Sequence, residues 1–92
     1  RSLGVYPPGT VVQLSNGAVG MVVSTNLRNS VRPSVMIYHP DVPKKEALVV
    51  DLAIEEELEI KKNLRAEKLP REVFSYLSPS RQVYYYAETT TT

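Results

Sequence analysis

Residues 10–24 read TVVQLSNGAVGMVVS, and this stretch decides the fold class of the chain. Two runs rich in β-branched residues, which favour strands, lie on either side of Asn16-Gly17. Asn-Gly suits a tight hairpin turn because both residues tolerate a positive φ. The stretch therefore predicts an antiparallel β-hairpin. Gly20, inside the second run, predicts a β-bulge or a close approach of another backbone.

Three further short strands are predicted after the hairpin, and polar or proline-containing loops separate them. They cover residues 34–38, 48–52 and 58–61. Five short strands joined by turns favour a small barrel over an open sheet, since closure removes exposed edges. The expected fold class is therefore mainly β: a small SH3-like five-stranded barrel, followed by a short helix and a C-terminal strand.

The pattern changes after residue 62, where apolar residues recur at helical spacing. Leu69, Val73, Phe74 and Leu77 predict one short helix, which Pro79 ends. The following Val-Tyr-Tyr-Tyr at residues 83–86 predicts a strand. We therefore expect a barrel at 1–62, a helix and aromatic strand at 63–88, and a disordered tail at 89–92. The second part is expected to pack either on the barrel or on a missing domain.

Composition narrows the class of protein. The chain has 92 residues, with 11 basic against 10 acidic side chains and a formal charge of +1. This balance does not produce the strong field of a dedicated nucleic-acid binder. No apolar run approaches the ~20 residues that cross a bilayer, so no membrane partner is expected. The chain begins Arg-Ser-Leu-Gly without an initiator Met, which we interpret as an excised piece of a larger protein.

The residue types and their spacing do not indicate a catalytic site. Cysteine is absent, and His39, the only histidine, lies in a loop beside Pro40 and Asp41. One His-x-Asp pair without a second cluster does not complete a metal shell. The acidic run at residues 55–57 does not converge on one point, and the glycines match no phosphate-binding loop. We therefore predict no catalytic, cofactor-binding or metal-ligating residue and no bound cofactor in this chain.

Two groups of residues are candidates for binding. Four basic residues in two loops form a candidate patch if the barrel brings the loops together: Arg28, Arg32, Lys44 and Lys45. Only Tyr38 offers a base-stacking platform on a strand, so we favour solvated loops over nucleic-acid binding.

The second group is aromatic. On a strand, Tyr84 and Tyr86 point to one face and Tyr85 to the other, so both faces need cover. With Phe74 of the helix, these tyrosines form a candidate interdomain contact. The segment is either a strand of this domain or a contact surface for a missing one.

A longer pattern runs through nearly the whole chain. Its first block reads YPPGTVVxLSNGxVGxVV over residues 6–23 and continues with Asn26 and Arg32-Pro33. Its second block comprises Val50-Asp51-Leu52, Leu58-Glu59-Ile60, Leu69-Pro70-x-Glu72-Val73-x-x-Tyr76-Leu77 and Tyr85-Tyr86. In order and spacing these residues resemble the segment that follows the catalytic domain in many bacterial HD-GYP proteins.

The resemblance implies a function for the parent protein. HD-GYP proteins are metal-dependent phosphohydrolases that typically hydrolyse cyclic di-GMP, a bacterial second messenger, in the cytoplasm. Their metal ligands and their His-Asp and Gly-Tyr-Pro signatures lie in an upstream helical domain. None of these signatures is present here, since Tyr6-Pro7 follows Val5 rather than glycine. No catalytic residue carries over to this chain.

The resemblance thus implies a non-catalytic C-terminal accessory domain with a structural, regulatory or dimerisation role. Its expected partners are the upstream HD-GYP catalytic domain and a second copy of the protein. The alternative is a free-standing KOW-like or SH3-like barrel that binds RNA or a protein partner, because such modules contain a similar hairpin. An enzyme acting alone would need a ligand set that the chain lacks.

Overall fold

The computed structural model describes residues 6–78, and these form an antiparallel sheet with a helix at its C-terminal end. The strands are β1 (Val11–Leu14), β2 (Val19–Ser24), β3 (Ser34–Ile37), β4 (Val49–Asp51) and β5 (Ile60–Leu64). Two 3₁₀ turns, Lys44–Glu46 and Ala66–Lys68, precede β4 and the helix α1 (Arg71–Leu77) respectively. The strand order is β4-β3-β2-β1-β5. The prediction of a mainly β fold with a short helix is confirmed.

The predicted hairpin joins β1 to β2, with Val12 opposite Gly20. Its turn differs from the tight two-residue form, because Gly17 has a φ of +91° whereas Asn16 stays at negative φ. The Gly17 N–H donates to the Leu14 carbonyl at 2.9 Å, and the Asn16 carboxamide oxygen accepts from the Ala18 N–H at 3.0 Å. The asparagine side chain thus bonds the turn backbone while the glycine alone takes the left-handed conformation.

The hydrophobic core lies on one face of the sheet, called here the inner face. It is built from buried residues of β1, β2 and β3 and of the segment after β4: Val12, Leu14, Val22, Val35 and Leu52. Gly20 lies in this face opposite Ile37. A Cβ at Gly20 would lie 2.4 Å from the Met36 carbonyl oxygen. The predicted close approach is confirmed, and the register shifts of the sheet fall elsewhere, at 13/14 and 22/24.

Strand β5 differs from its prediction at both ends. It begins at Ile60 opposite Leu14 and ends at Leu64 opposite Val11, rather than covering 58–61. Leu58 precedes the ladder and packs on the core, while its carbonyl accepts a hydrogen bond from Arg32. As an edge strand, β5 is half-buried only at Ile60 and Leu64, so its sequence lacks regular alternation. The strand crosses the boundary predicted at residue 62.

The sheet is not closed into a barrel. Strands β4 and β5 are its two edges, and residues 52–59 connect them. β4 has only three residues before a turn in which the Asp51 carbonyl accepts from the N–H groups of Ile54 and Glu55. The turn diverts the chain over the inner face before a β4–β5 ladder can form. The five antiparallel strands are therefore confirmed, and closure is not.

The opposite, outer face carries an apolar row. Directly paired residues of an antiparallel sheet point to the same side. The paired residues from β5 to β4 are Leu64, Val11, Met21, Met36 and Val49. Both faces of this sheet are therefore apolar at its centre.

Helix α1 begins after Pro70 and ends at Leu77, as its spacing predicts. Its Tyr76 ring meets Tyr38 edge-on, with centroids 4.8 Å apart, and its Leu77 is buried. The helix therefore docks near the end of β3. No helix in residues 6–78 has the length and apolar character needed to cross a bilayer.

Candidate contact surfaces

Arg32, one of the four predicted patch residues, points inward and bonds the backbone. Its Nε donates to the Leu52 carbonyl at 2.6 Å, and its Nη2 donates to the Leu58 carbonyl. The same Nη2 also donates to the carbonyls of Glu55 and Glu56 at 3.1 and 3.3 Å. The guanidinium thus links the end of β4 to the start of β5 through four backbone acceptors. This arrangement organises a connection rather than presenting a charge to a ligand.

Lys44 is also engaged within the fold. Its Nζ donates to the carbonyl of Ser78, directly after α1. Helix carbonyls at a C-terminus lack intrahelical partners and favour a nearby cation. Lys44 therefore holds the end of the helix against the loop between β3 and β4.

Arg28 and Lys45 are exposed, but they do not lie together. Arg28 lies in the loop before β3, and Lys45 lies in the turn after it, so opposite ends of β3 separate them. The structure therefore does not bring the four basic residues into one patch. Two of them serve the fold, and the other two lie apart.

An exposed apolar patch surrounds the free edge of the sheet at β4. Leu48 is 67% exposed, Val49 55% and Ile54 72%. A shallow pocket of about 370 Å³ lies beside Val49 and Ile54, and its other walls are Val50, Asp51, Glu55 and Leu58. We call Leu48, Val49 and Ile54 the β4-edge patch. Unpaired backbone groups beside apolar side chains make an edge ready to take up another chain.

A second apolar surface lies on the outer face of the sheet. A groove of about 440 Å³ runs between β2, β3 and the end of α1. Its walls are Pro8, Gly9, Met21, Val22, Val23, Met36, Lys44, Leu77 and Ser78. We call this the outer groove. Lys44, the only charged residue among its walls, uses its ammonium group on Ser78.

The predicted aromatic contact is described only in part. Phe74 lies on α1 and is 47% exposed, whereas Tyr84, Tyr85 and Tyr86 lie outside the described residues. Tyr76, which the sequence analysis gives in the resemblance motif but not among the contact residues, is more deeply placed than Phe74. Its hydroxyl is buried, and no group within residues 6–78 forms a hydrogen bond with it.

The candidate acid and metal residues occupy loops and turns. The His39 Nδ1 accepts a hydrogen bond from the Asp41 N–H at 3.0 Å, so the pair closes a local turn. Glu55, Glu56 and Glu57 are exposed in the connection to β5. Across residues 6–78, no three His, Cys, Asp or Glu side chains gather closely enough to hold a metal ion.

Sequence reasoning missed the two apolar surfaces, although it located their strands. The signal for the outer groove is present in β2, where Val19, Met21 and Val23 are apolar on the face opposite Val22. A strand that carries apolar side chains on both of its faces is typical of a sheet that is covered on both sides. The β4-edge patch leaves no such signal, because its exposure depends on which strand ends the sheet.

Comparison of the chain with protein-family models, curated proteins and solved structures finds no match. Membership of the HD-GYP family is therefore a proposal.

Proposed function

We propose that this chain is the non-catalytic C-terminal accessory domain of a cytoplasmic HD-GYP protein, a metal-dependent cyclic di-GMP phosphodiesterase. Its role is contact, either with the upstream catalytic domain or with a second copy of the protein. The observation that carries the contact role is the β4-edge patch. The parentage is supported by the ordered motifs of residues 6–23 and 50–77, whose first block coincides with the β1–β2 hairpin.

The β4-edge patch supports a contact role because it combines exposed apolar side chains with the unpaired backbone groups of an edge strand. Val49 and Ile54 are more than half exposed, so they add little to the stability of this domain by itself. Among residues 6–78, strand β4 pairs on one side only, with β3. A partner that covers this edge gains both apolar burial and backbone hydrogen bonds.

We also propose that the sheet acts as an incomplete SH3-like barrel. Strand β5 pairs with β1 rather than with its sequence neighbour β4, so closure of the sheet would need a ladder between β4 and β5. Arg32 links the segments that follow β4 and precede β5, where a closed barrel has a ladder. The Arg32 side chain thus links the segments next to the two edge strands, β4 and β5.

The test uses the parent protein, carrying Val49→Lys and Ile54→Lys together. Both side chains are exposed, so the domain itself should still fold, as its circular dichroism will show. We expect the charges to weaken the contact and so lower the parent's Tm, its dimer fraction or its cyclic di-GMP turnover. Leu27→Lys is the matched control, because Leu27 is 99% exposed in the β2–β3 loop.

Three results contradict the proposal in distinct ways. A double variant that matches the Leu27→Lys control in Tm, light scattering and turnover removes the contact role. A sequence upstream of Arg1 that lacks the His-Asp and Gly-Tyr-Pro clusters removes the parentage. Salt-sensitive binding of labelled RNA by the domain favours the KOW-like alternative instead.

A further inference from the structure

We propose that the outer groove is the docking site for the C-terminal segment of the same chain, with Tyr84 and Tyr86 as its occupants. The walls of this groove do not include Leu48, Val49 or Ile54, and the proposal does not depend on the parentage. The sequence leaves the tyrosine segment either as a part of this domain or as a contact surface for a missing one. We place it on the chain's own sheet.

The first argument is the character of the groove. Met21 and Met36 lie directly opposite each other on β2 and β3, and both line the groove. Val23, a third wall residue, is 38% exposed. An apolar surface at the centre of a sheet is normally covered by another layer of structure. Helix α1 supplies Leu77 to one wall of the groove and leaves the rest open.

The second argument is where the described chain ends. Leu77 and Ser78 are themselves walls of the groove. The Ser78 carbonyl is held by Lys44, and the Ser78 hydroxyl donates to the Phe74 carbonyl at 2.6 Å. The exit point of the chain is therefore fixed at the groove, so the next fourteen residues, 79–92, start beside it.

The third argument is reach. Tyr84 and Tyr86 follow Ser78 by six and eight residues. An extended chain advances about 3.3 Å per residue, so Tyr84 and Tyr86 can lie as far as about 20 and 26 Å from Ser78. Neighbouring strands lie about 4.8 Å apart, so crossing the groove from β3 to β2 takes about 5 Å. The segment reaches every part of the outer groove, with residues to spare for a turn.

The fourth argument is chemical fit. Methionine thioethers make favourable contacts with aromatic rings, and their flexible side chains adapt to the shape of a ring. Tyrosine places its ring on an apolar surface and keeps its hydroxyl at the solvent, as an open groove requires. Alternation on an extended segment sends Tyr84 and Tyr86 to the same side, so two rings can lie along the methionine pair.

The groove offers a selective measurement, because Met21 and Met36 are the chain's only methionines. Hydrogen peroxide oxidises exposed methionine to the sulfoxide, and peptide mass spectrometry reads each site separately. We expect both residues to oxidise several-fold faster in Tyr84→Ser/Tyr86→Ser than in the unchanged chain. Tyr85→Ser is the matched control, since alternation along the proposed extended segment sends Tyr85 to the other side and its removal should leave the rates nearly unchanged.

A second measurement uses the absence of native cysteine. Val23→Cys combined with Tyr84→Cys should give an intramolecular disulfide on mild oxidation, seen as the loss of both free thiols to alkylation while the chain stays monomeric on a non-reducing gel. Leu27→Cys with Tyr84→Cys is the control pair and should not close, because Leu27 lies outside the groove walls. This readout also decides the matter if the tyrosine variants unfold.

Each contrary outcome is distinct. Equal methionine oxidation in the unchanged chain and the folded double variant overturns the proposal. So does a disulfide-linked dimer of the Val23/Tyr84 pair, or protection that grows with protein concentration, because both assign the groove to a second copy. Failure here leaves the β4-edge contact intact, since that contact is tested by Val49 and Ile54 alone.

Discussion

Replacing Arg32 with alanine is expected to release the connection between β4 and β5. The guanidinium donates to the carbonyls of Leu52 and Leu58, which lie 20 and 26 residues further along the chain. It also donates to the carbonyls of Glu55 and Glu56. The alanine variant loses the one side chain that links the two open edges of the sheet at this end.

The loss can be worked from these contacts. A hydrogen bond with a charged donor contributes about 1.5–3 kcal/mol. We count only the bonds to Leu52 and Leu58, because they are partly buried. The carbonyls of Glu55 and Glu56 are exposed, so water replaces their donor. Two bonds give about 3–6 kcal/mol, and the ~2 kcal/mol of side-chain entropy that arginine loses on ordering offsets part of it. The expected loss of unfolding free energy is therefore about 1–4 kcal/mol, with a central value of about 2.5 kcal/mol.

Urea unfolding followed by circular dichroism measures this loss. With a slope of about 1 kcal/mol per molar urea, typical of a small domain, the midpoint falls by about 2.5 M. The urea midpoint of Arg32→Lys should lie between those of the unchanged chain and Arg32→Ala, because one ammonium group does not reach both carbonyls as the planar guanidinium does. Arg28→Ala, an exposed neighbour in the same loop, should stay within about 0.5 kcal/mol. If Arg32→Ala shifts the midpoint no more than Arg28→Ala, the guanidinium does not hold the edges together and the reasoning is refuted.

Two other perturbations have definite expected outcomes. Gly20→Ala should lower the unfolding free energy by about 3 kcal/mol, because its Cβ would lie 2.4 Å from the Met36 carbonyl oxygen. Gly17→Ala should lower it by only about 1 kcal/mol, because a Cβ there meets open space and only the positive φ opposes it. The reverse order of the two urea midpoints would contradict this view of the hairpin. Tyr76→Phe should raise the unfolding free energy by about 1 kcal/mol, since it removes a buried hydroxyl that has no partner within residues 6–78 and keeps the ring contact. A lower midpoint for Tyr76→Phe would mean that the hydroxyl bonds a group beyond residues 6–78.

Features that depend on neighbouring residues were predictable from the sequence. The β1–β2 hairpin follows from β-branched runs around a turn glycine, and both strands form near their predicted positions. The end of α1 at Leu77 follows from the spacing of apolar residues and from Pro79. The close approach at Gly20 was also predictable, because glycine inside a strand usually leaves room for another backbone.

Features that depend on distant pairing were not predictable in this way. The bounds of β5 follow from its register with β1, and alternation misplaces them because an edge strand buries few residues. Arg32 looks the same in the sequence whether it is solvated or bonded to carbonyls twenty or more residues away. The predicted basic patch was drawn from loop positions alone, and the topology puts those loops at opposite ends of β3.

The sequence by itself therefore determined a mainly β chain with a hairpin and a short helix, and the set of side chains available to it. These depend on local backbone preferences and on residue identity. Only the tertiary structure decided which strand ends the sheet, and hence that Leu48, Val49 and Ile54 are exposed. It also decided that Met21 and Met36 share one groove with the end of the helix. Both outcomes are set by strand order and register, which arise from contacts between residues far apart in the chain.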